Sequence, residues 1–415
     1  MNTSTARTVL LATSLAFAAL TGAPANAELP EHPAVAGFGP TAIDFVEPDL
    51  DVQFGDAVAI RDGIAFAGLP DSHGGRVAVF TQTSGWQRVQ TLDAPVPGDQ
   101  FGRTLAFRDG LLIVGGRSAV DVYKRSNGVW IHVQTLQPLA TDAVELFPLA
   151  LRYEGGTLLA TADRGSLPSL VYVFELNTNG RFFRRTRLRP LAPAPGEVFG
   201  ASLSMTSTTL LIGAPHGDPR KSFNIPDYSG IGAAYVFKRN SRGNWAQTQK
   251  LTAVENAFGF GAAVAIDRGM IIVGAPKIDV QGGINGPEAN AAGGAAYGFL
   301  PVGGRYLESF KLRPRADELP QYEAFGFQIA MSGRFIAIAA AEPYGSIDAF
   351  PRGFVLTYER DGNSVTPRGV ASGHLVSSSL GLANNLLLVG DPGDDRCISG
   401  CPGRATLYDI ARFRQ

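Results

Sequence analysis

The stretch Phe260-Gly261-Ala262-Ala263-Val264-Ala265-Ile266 decides the fold, because it recurs along the chain. After it come the turn residues Arg268-Gly269 and the apolar run Met270 to Val273, which ends in Gly274-Ala275-Pro276. A two-residue turn between two apolar segments predicts a β-hairpin. The stretch therefore predicts the first two antiparallel strands of a repeated unit.

Six further copies of this start are spread along the chain. Clear copies begin at Phe54-Gly55, Phe101-Gly102, Phe199-Gly200 and Phe325-Gly326, and degenerate copies occupy Phe147 to Leu151 and Ser378 to Leu382. From Phe54 to the end the chain spans 362 residues, about 52 per repeat. A repeat of this length is typical of solenoids and propellers.

Two more strands complete each repeat. A variable loop leads to a Gly-led strand that ends in an aromatic residue, as in Gly232 to Phe237 and Gly294 to Phe299. A fourth strand opens with an aromatic residue and closes on Leu, as in Trp245 to Leu251. Seven repeats of four short strands predict an all-β fold, a seven-bladed β-propeller of four-stranded antiparallel blades.

The seventh repeat supplies only three strands before the sequence ends at Gln415. The segment Ala42 to Phe45 precedes the first repeat, so we expect it to add the missing outer strand, which closes the ring and covers an exposed edge. The predicted organisation is a signal peptide over residues 1–27, an N-terminal segment over 28–50 with the closing strand, and the propeller over 51–415.

Residues 1–27 have the features of a secretory signal. A short start with Arg7 leads into the apolar run Val9 to Leu20 and then to Ala25-Asn26-Ala27, an A-x-A cleavage site. We expect cleavage after Ala27 and a secreted or periplasmic protein. No later stretch stays apolar over the roughly 20 residues of a membrane helix, so we predict no transmembrane segment.

Composition excludes some classes of partner. The 415 residues are 45% hydrophobic and only 18% charged, with a formal net charge of −1. The hydrophobic content is too high for a disordered chain, and the charge balance excludes electrostatic capture of nucleic acid by the chain as a whole. We expect a monomer that binds no nucleic acid and needs no cofactor.

The Phe-Gly starts, the triplets Gly213-Ala214-Pro215 and Gly274-Ala275-Pro276, and the Gly-Ala-Ala-Tyr strands resemble the FG-GAP repeats of the integrin alpha propeller. The resemblance is greatest to bacterial FG-GAP repeat proteins and covers about residues 50–410. Many integrin repeats hold calcium on an Asp-rich loop between the first two strands. Here that connection is only Arg61-Asp62-Gly63 or Arg108-Asp109-Gly110, too few oxygen ligands for calcium, so no metal site is predicted.

Both cysteines, Cys397 and Cys401, lie in one loop near the C-terminus. We interpret them as a disulfide, because an exported protein reaches an oxidising compartment. The alternatives are a redox pair or half of a metal site. The C-x-x-x-C spacing does not match the C-x-x-C redox motif, and no second cysteine pair completes a zinc site.

No linear catalytic motif with a known mechanism occurs, so the sequence names no catalytic residue. The informative variation is the long connection between the second and third strands in repeats 4 and 5, at residues 215–231 and 276–293. Because binding residues concentrate in loops, we select these as the candidate ligand-binding face. Its residues are His216, Asp218, Arg220, Lys221, Asp227, Tyr228, Lys277, Asp279 and Glu288.

The sequence favours a binding or adhesion module for an extracellular or envelope protein or glycan. In integrins the ligand meets the loop-bearing face, so the resemblance implies the same role here. Two alternatives stay open: a polysaccharide hydrolase or lyase with its site in the central channel, and a lectin with one sugar per blade.

Overall fold

We describe the protein from a computed structural model. The structure describes residues 43–46, 53–70, 74–218, 227–255, 257–278, 293–314, 324–341, 353–372, 379–392 and 403–413. Nearly all regular structure in these ranges is β-strand, with two short 3-10 turns at Ala140–Asp142 and Ile410–Arg412. The described chain is therefore an all-β protein, as the repeat predicts.

The first described strand is β1 (Ile43–Val46), and the first three blades follow it in chain order. Blade 1 contains β2 (Val58–Arg61), β3 (Ile64–Leu69), β4 (Arg76–Gln82) and β5 (Trp86–Asp93). Blade 2 contains β6 (Thr104–Arg108), β7 (Leu111–Gly115), β8 (Val120–Ser126) and β9 (Val129–Leu136). Blade 3 contains β10 (Leu151–Glu154), β11 (Thr157–Arg164), β12 (Leu167–Leu176) and β13 (Phe182–Leu188).

The other blades repeat this order. Blade 4 contains β14 (Ser202–Met205), β15 (Thr209–Asp218), β16 (Asp227–Arg239) and β17 (Trp245–Leu251), and the short β18 (Ala257–Phe258) follows it. Blade 5 contains β19 (Val264–Asp267), β20 (Met270–Ala275), β22 (Ala295–Val302) and β23 (Arg305–Leu312), with the short β21 (Lys277–Ile278) after β20. Blade 6 contains β24 (Ile329–Ser332), β25 (Phe335–Ala341), β26 (Gly353–Asp361) and β27 (Ser364–Ser372). Blade 7 contains β28 (Ser379–Ala383), β29 (Leu386–Asp391) and β30 (Arg404–Asp409), completed by β1.

The first strands of the blades form a closed ring around a central channel. Strand β2 contacts β6 and β28, and the contacts continue through β10, β14, β19 and β24 back to β28. In each blade the other three strands follow outward, each antiparallel to the one before it. The structure therefore confirms the predicted seven-bladed propeller of four-stranded antiparallel blades.

The hydrophobic core lies between blades rather than at the centre. Its described residues form seven clusters, one at each junction between neighbouring blades. At the junction of blades 4 and 5, Phe260 is fully buried and belongs to the same cluster as Leu211 and Ile271. The Phe of each Phe-Gly start is thus an anchor between two sheets, and its apolar area stabilises both.

The glycines of the repeat bring neighbouring blades into backbone contact. Gly261 has a φ of 95°, and its N–H donates to the carbonyl of Gly274 in the same blade at 2.9 Å. Its own carbonyl faces Gly213 of blade 4, where a Cβ would come within 2.1 Å of the oxygen. Gly274 faces the Gly326 carbonyl of blade 6 in the same way, at 1.8 Å. A side chain at either position would collide with backbone, so only glycine fits.

Glutamine side chains join the outer strands of neighbouring blades. Gln249 of blade 4 donates to the Tyr306 carbonyl of blade 5 at 2.7 Å and accepts from the Tyr306 N–H at 2.8 Å. Equivalent pairs join blades 1 and 2, through Gln90 and Trp130, and blades 2 and 3, through Gln134 and Phe182. The glutamine side chains thus bond to backbone N–H and C=O groups on the outermost strand of the next blade, which has no further strand beside it in its sheet.

The N-terminal strand occupies the outer position of blade 7. Strand β1 runs antiparallel to β30, with Ile43 opposite Leu407. Phe45 is 5% exposed, and its ring centroid lies 4.4 Å from that of Phe80 and 5.8 Å from that of Trp86 in blade 1. The strand therefore belongs to the last sheet while its aromatic side chain packs on the first.

We predict that Gly274→Ala destabilises the propeller by about 3 kcal/mol or more, because the new Cβ would overlap the Gly326 carbonyl. Urea unfolding followed by circular dichroism measures the loss. Gly85→Ala is the matched control, since a Cβ at Gly85 has no atom within 4 Å. Equal midpoints for the two variants would contradict the prediction.

We also predict that Phe45→Ala lowers the free energy of unfolding by about 3–5 kcal/mol, the usual range for removing a buried phenylalanine. Because Phe45 links β1 to blade 1, the loss should appear as a lower urea midpoint in one cooperative transition. Val129→Ala, at a side chain 52% exposed, is the control and should change stability little. An unchanged midpoint for Phe45→Ala would show that ring closure does not depend on β1.

Candidate binding face

The antiparallel topology gives the propeller two different faces. In each blade the first strand runs from the linker that enters the blade to a tight turn, and the second strand returns. The linkers between blades and the connections between second and third strands therefore share one side, which we call the loop face. The turns within hairpins, such as Asp109-Gly110, lie on the opposite side, the hairpin face. Both candidate loops selected from the sequence belong to the loop face.

Among the described residues, blade 4 extends furthest on the loop face. Strands β15 and β16 are 10 and 13 residues long, whereas the first strand of the blade has 4. Their pairing continues past Ala214 and Ala233 to His216 opposite Gly230 and Asp218 opposite Asp227, with irregular register beyond Ala214. The first candidate loop is therefore carried on a β-ribbon that projects from the blade.

A small additional sheet joins this ribbon to blade 5. The linker strand β18 pairs with β16 through Phe258 and Ile231. It also pairs with β21, with Phe258 opposite Lys277 and Ala257 opposite Ile278. The sheet therefore holds the start of the second candidate loop beside the end of the first. No repeated feature of the sequence predicts this pairing, because β18 and β21 are only two residues long.

His216 is part of the framework of this face. Its imidazole lies between two backbone segments, because a Cβ on Gly196 would come within 2.6 Å of Nε2 and one on Gly230 within 2.7 Å of Nδ1. Its backbone forms an isolated bridge with Glu197 of the linker between blades 3 and 4. The half-buried ring thus packs the ribbon against that linker.

The other predicted site residues divide into two groups. Asp218 ends β15, Asp227 and Tyr228 begin β16, and Lys277 begins β21. The remaining predictions lie outside the described residues: Arg220, Lys221, Asp279 and Glu288 of the loops, Cys397 and Cys401 of the proposed disulfide, and the signal peptide over 1–27.

A buried carboxylate fixes the linker under the ribbon. The Tyr235 hydroxyl donates to Glu197 Oε2 at 2.5 Å, and Lys250 Nζ lies 2.7 Å from the other carboxylate oxygen. Tyr235 and Lys250 are cross-strand neighbours in blade 4, whereas Glu197 comes from the linker. We call this arrangement of tyrosine, acid and base a linker clasp. Burial and the hydrogen bond to Glu197 raise the pKa of Tyr235.

The same clasp recurs in blades 3 and 5. Tyr172 and Arg187 hold Asp142, and Tyr297 and Lys311 hold Glu255. Burial alone would raise the pKa of Glu255, but the hydrogen bonds from Tyr297 and Lys311 and the charge of Arg313 outweigh it, so the pKa lies below its ordinary value. The sequence analysis missed these clasps. A usable signal was present, because a tyrosine occupies the same position of the third strand in blades 3, 4 and 5.

A polar pocket of about 190 Å³ opens on the loop face between blades 2 and 3. Its lining includes Arg103, Arg117, Glu145 and Asp163. Asp163 is 2% exposed, and its carboxylate accepts from the N–H of Gly165 at 3.2 Å. The sequence reasoning also missed this pocket, because its residues come from two blades and a linker.

Within the described ranges, no group of three or more His, Cys, Asp or Glu side chains is arranged to hold a metal ion. None of the helices found there is long and apolar enough to cross a membrane.

Seven radially arranged, four-stranded blades define the class of β-propellers. Residues 245–299, from the last strand of blade 4 through the third strand of blade 5, match the family model of the FG-GAP repeat. The chain therefore contains an FG-GAP repeat across blades 4 and 5 of a seven-bladed propeller, which agrees with the resemblance seen in the sequence. A search of curated proteins gives no match.

Solved structures support the fold alone. The chain is similar to the Pan2 WD40 domain of Neurospora crassa, with 10% identity, a TM-score of 0.54, and coverage of 92% of this chain and 97% of that one. It is also similar to a 6-phosphogluconolactonase candidate from Bacteroides uniformis, with 11% identity, a TM-score of 0.51, and coverage of 77% and 85%. At these identities only the propeller architecture is shared.

We predict that the linker clasp of blade 5 makes stability depend on pH. Because the folded-state pKa of Glu255 is lowered, its contribution is complete above its ordinary value of about 4.3 and is lost as the pH falls through the folded-state value. Glu255→Gln should therefore lower the melting temperature at pH 7, and the difference from wild type should shrink towards pH 3. Asp109→Asn, at a turn carboxylate that is 53% exposed, is the control. A Glu255→Gln difference that stays constant with pH would refute the linkage.

Proposed function

We propose that this propeller is a binding module that recognises a protein or glycan outside the cytosol through the loop face of blades 4 and 5. The observation that supports it is the additional sheet of β16, β18 and β21, which holds the end of the blade 4 loop beside the start of the blade 5 loop. Loops of different blades held on one rigid base form a surface that neither loop offers alone, and binding residues concentrate on such loops.

The framework beneath the loops supports the same proposal. The linker clasps of Glu197 and Glu255 tie the chain on either side of blade 4 to that blade and its neighbour. The ring of His216 packs the ribbon against the linker at Gly196. A base that is ordered before binding reduces the conformational entropy that a partner must overcome. The loops carry residues of both charges, which suits a polar partner more than a strongly anionic one.

Export is part of the proposal. The signal-like residues 1–27 support export to the periplasm or the medium, and in that oxidising environment we expect Cys397 and Cys401 to form a disulfide. An adhesion partner would then be an envelope or extracellular component. The intact mass of the purified protein tests both points, since cleavage after Ala27 and loss of two hydrogens relative to the reduced form are the expected results.

The decisive experiment replaces residues 219–226 by Asn-Gly. Because Asp218 pairs with Asp227, a two-residue turn can close the ribbon at that position. We expect wild-type residues 28–415 to bind members of a panel of purified glycans and envelope proteins, and the shortened variant to lose that binding while keeping its melting temperature. Binding measured with calcium and with a chelator should be the same, since the short turns between first and second strands lack calcium ligands.

The matched control lies on the hairpin face of the same blade. Replacing residues 240–244 by Asn-Gly closes the hairpin at Arg239 opposite Trp245 and should leave binding intact. Equal binding by the shortened loop-face variant and wild type would contradict the proposal. Release of new reducing ends from a polysaccharide would instead favour the hydrolase alternative.

A further inference from the structure

The polar pocket between blades 2 and 3 has no part in the function proposed for blades 4 and 5. Its volume is about 190 Å³, and its lining combines two arginines, Arg103 and Arg117, with two acids, Glu145 and Asp163. A cavity of about 150 Å³ holds a molecule the size of benzene, so this pocket has room for a ligand of about six to eight non-hydrogen atoms. The volume therefore limits the ligand to a small molecule.

Both arginines belong to the blade 2 side of the pocket. Arg103 lies just before β6, and its Nη1 donates to Gln100 Oε1 at 3.0 Å. Arg117 lies between β7 and β8, and its backbone N–H donates to the Asp99 carbonyl at 2.6 Å. Since Asp99 and Gln100 are consecutive residues of the linker from blade 1, both arginines are anchored to the same short segment.

Both acids come together on the blade 3 side of the pocket. Asp163, near the end of β11, is 2% exposed, and its carboxylate accepts from the Gly165 N–H at 3.2 Å. The Glu145 carboxylate lies against the same glycine, because a Cβ on Gly165 would come within 2.1 Å of its Oε1. The backbone fixes this arrangement, since the Glu145 N–H donates to the Asp163 carbonyl at 2.9 Å. The pocket therefore has an acidic wall opposite its basic one.

The charges of the two walls do not neutralise each other by direct contact. Within the described part of the chain, neither Arg103 nor Arg117 forms an ion pair with a carboxylate. The Asp99 carboxylate in the linker accepts from the Ser118 N–H at 2.9 Å and from the Ser118 hydroxyl at 2.6 Å, so it caps the turn after Arg117. Opposite charges are thus kept apart across a space that a small molecule can enter.

We propose that this pocket binds a small zwitterion of the amino acid class, with its carboxylate at Arg103 and Arg117 and its ammonium group at Glu145 and Asp163. A guanidinium offers a planar carboxylate two parallel N–H donors, and a carboxylate accepts from an ammonium group in a charge-assisted hydrogen bond. A singly charged ligand would leave one wall without a partner. A sugar acid is roughly twice the size that the volume admits.

Equilibrium dialysis of the purified protein against isotopically labelled β-alanine and γ-aminobutyrate tests the proposal. Both compounds are zwitterions of the size that the pocket admits, and we expect saturable binding of one molecule per propeller. Propionate and propylammonium each carry only one of the two charges, so they should bind about tenfold more weakly. Absence of saturable zwitterion binding would overturn the proposal, as would equal binding of propionate.

Two variants distinguish a site for zwitterions from a site for anions. Arg117→Ala removes a guanidinium and should weaken the binding of β-alanine and of propionate about tenfold. Glu145→Gln should weaken the binding of β-alanine by a similar factor, whereas propionate should bind no more weakly, because a repelling charge is lost. Unchanged or stronger binding of β-alanine to Glu145→Gln would contradict the proposal, and stronger binding would indicate a site for anions.

The matched controls lie away from the pocket. Arg184→Ala, at an exposed arginine of the outer strand β13, and Asp109→Asn, at a turn on the hairpin face, should bind β-alanine like wild type. Arg117 and Glu145 are exposed, so their variants should keep the wild-type melting temperature. Partner binding through blades 4 and 5 should be unchanged in Arg117→Ala, so failure of either proposal is visible independently of the other.

Discussion

The close approach of two glycines at each clear junction is the constraint on which the rest of the propeller depends. The carbonyl of Gly261 in the Phe-Gly start of blade 5 faces Gly213 in the second strand of blade 4, and Gly326 faces Gly274 in the same way. This contact sets the spacing of the sheets near the axis. The Phe beside each start fills the wider space further out, so one dipeptide specifies both the narrow and the wide part of a wedge-shaped junction.

The degenerate repeats satisfy the same constraint by other means. In blade 3 the position of the second-strand glycine holds Thr161, whose hydroxyl donates to the Gly200 carbonyl at 2.7 Å. A hydrogen bond there replaces the direct backbone approach. At the junction of blades 2 and 3, Pro148 stands where other starts have glycine and packs beside Gly115. Ring closure therefore requires complementary neighbours at each junction rather than seven identical repeats.

The sequence predicted the scaffold well because the constraint is local and repeated. The blade count can be read directly from the Phe-Gly starts, the two-residue turns and the Gly-Ala-Ala-Tyr strands. The structure confirms seven blades of four strands. The site could be predicted only in outline. The sheet of β18 and β21, the pocket of Arg103 and Asp163, and the linker clasp of Glu197 each combine residues from different blades or linkers. Such contacts depend on how the ring brings different blades together, and the sequence of a single repeat does not predict that arrangement.

The positions at which blades differ carry the functional argument, because identical blades would offer only a symmetric surface. The largest departure within the described residues is the ribbon of blade 4 with its link to blade 5. It is costly for a pure scaffold, since it leaves Ile231 40% exposed. The linker clasps of Glu197 and Glu255 stabilise the chain on either side of this ribbon. The propeller thus joins a regular frame to an irregular ribbon, and that ribbon is where partner binding is proposed.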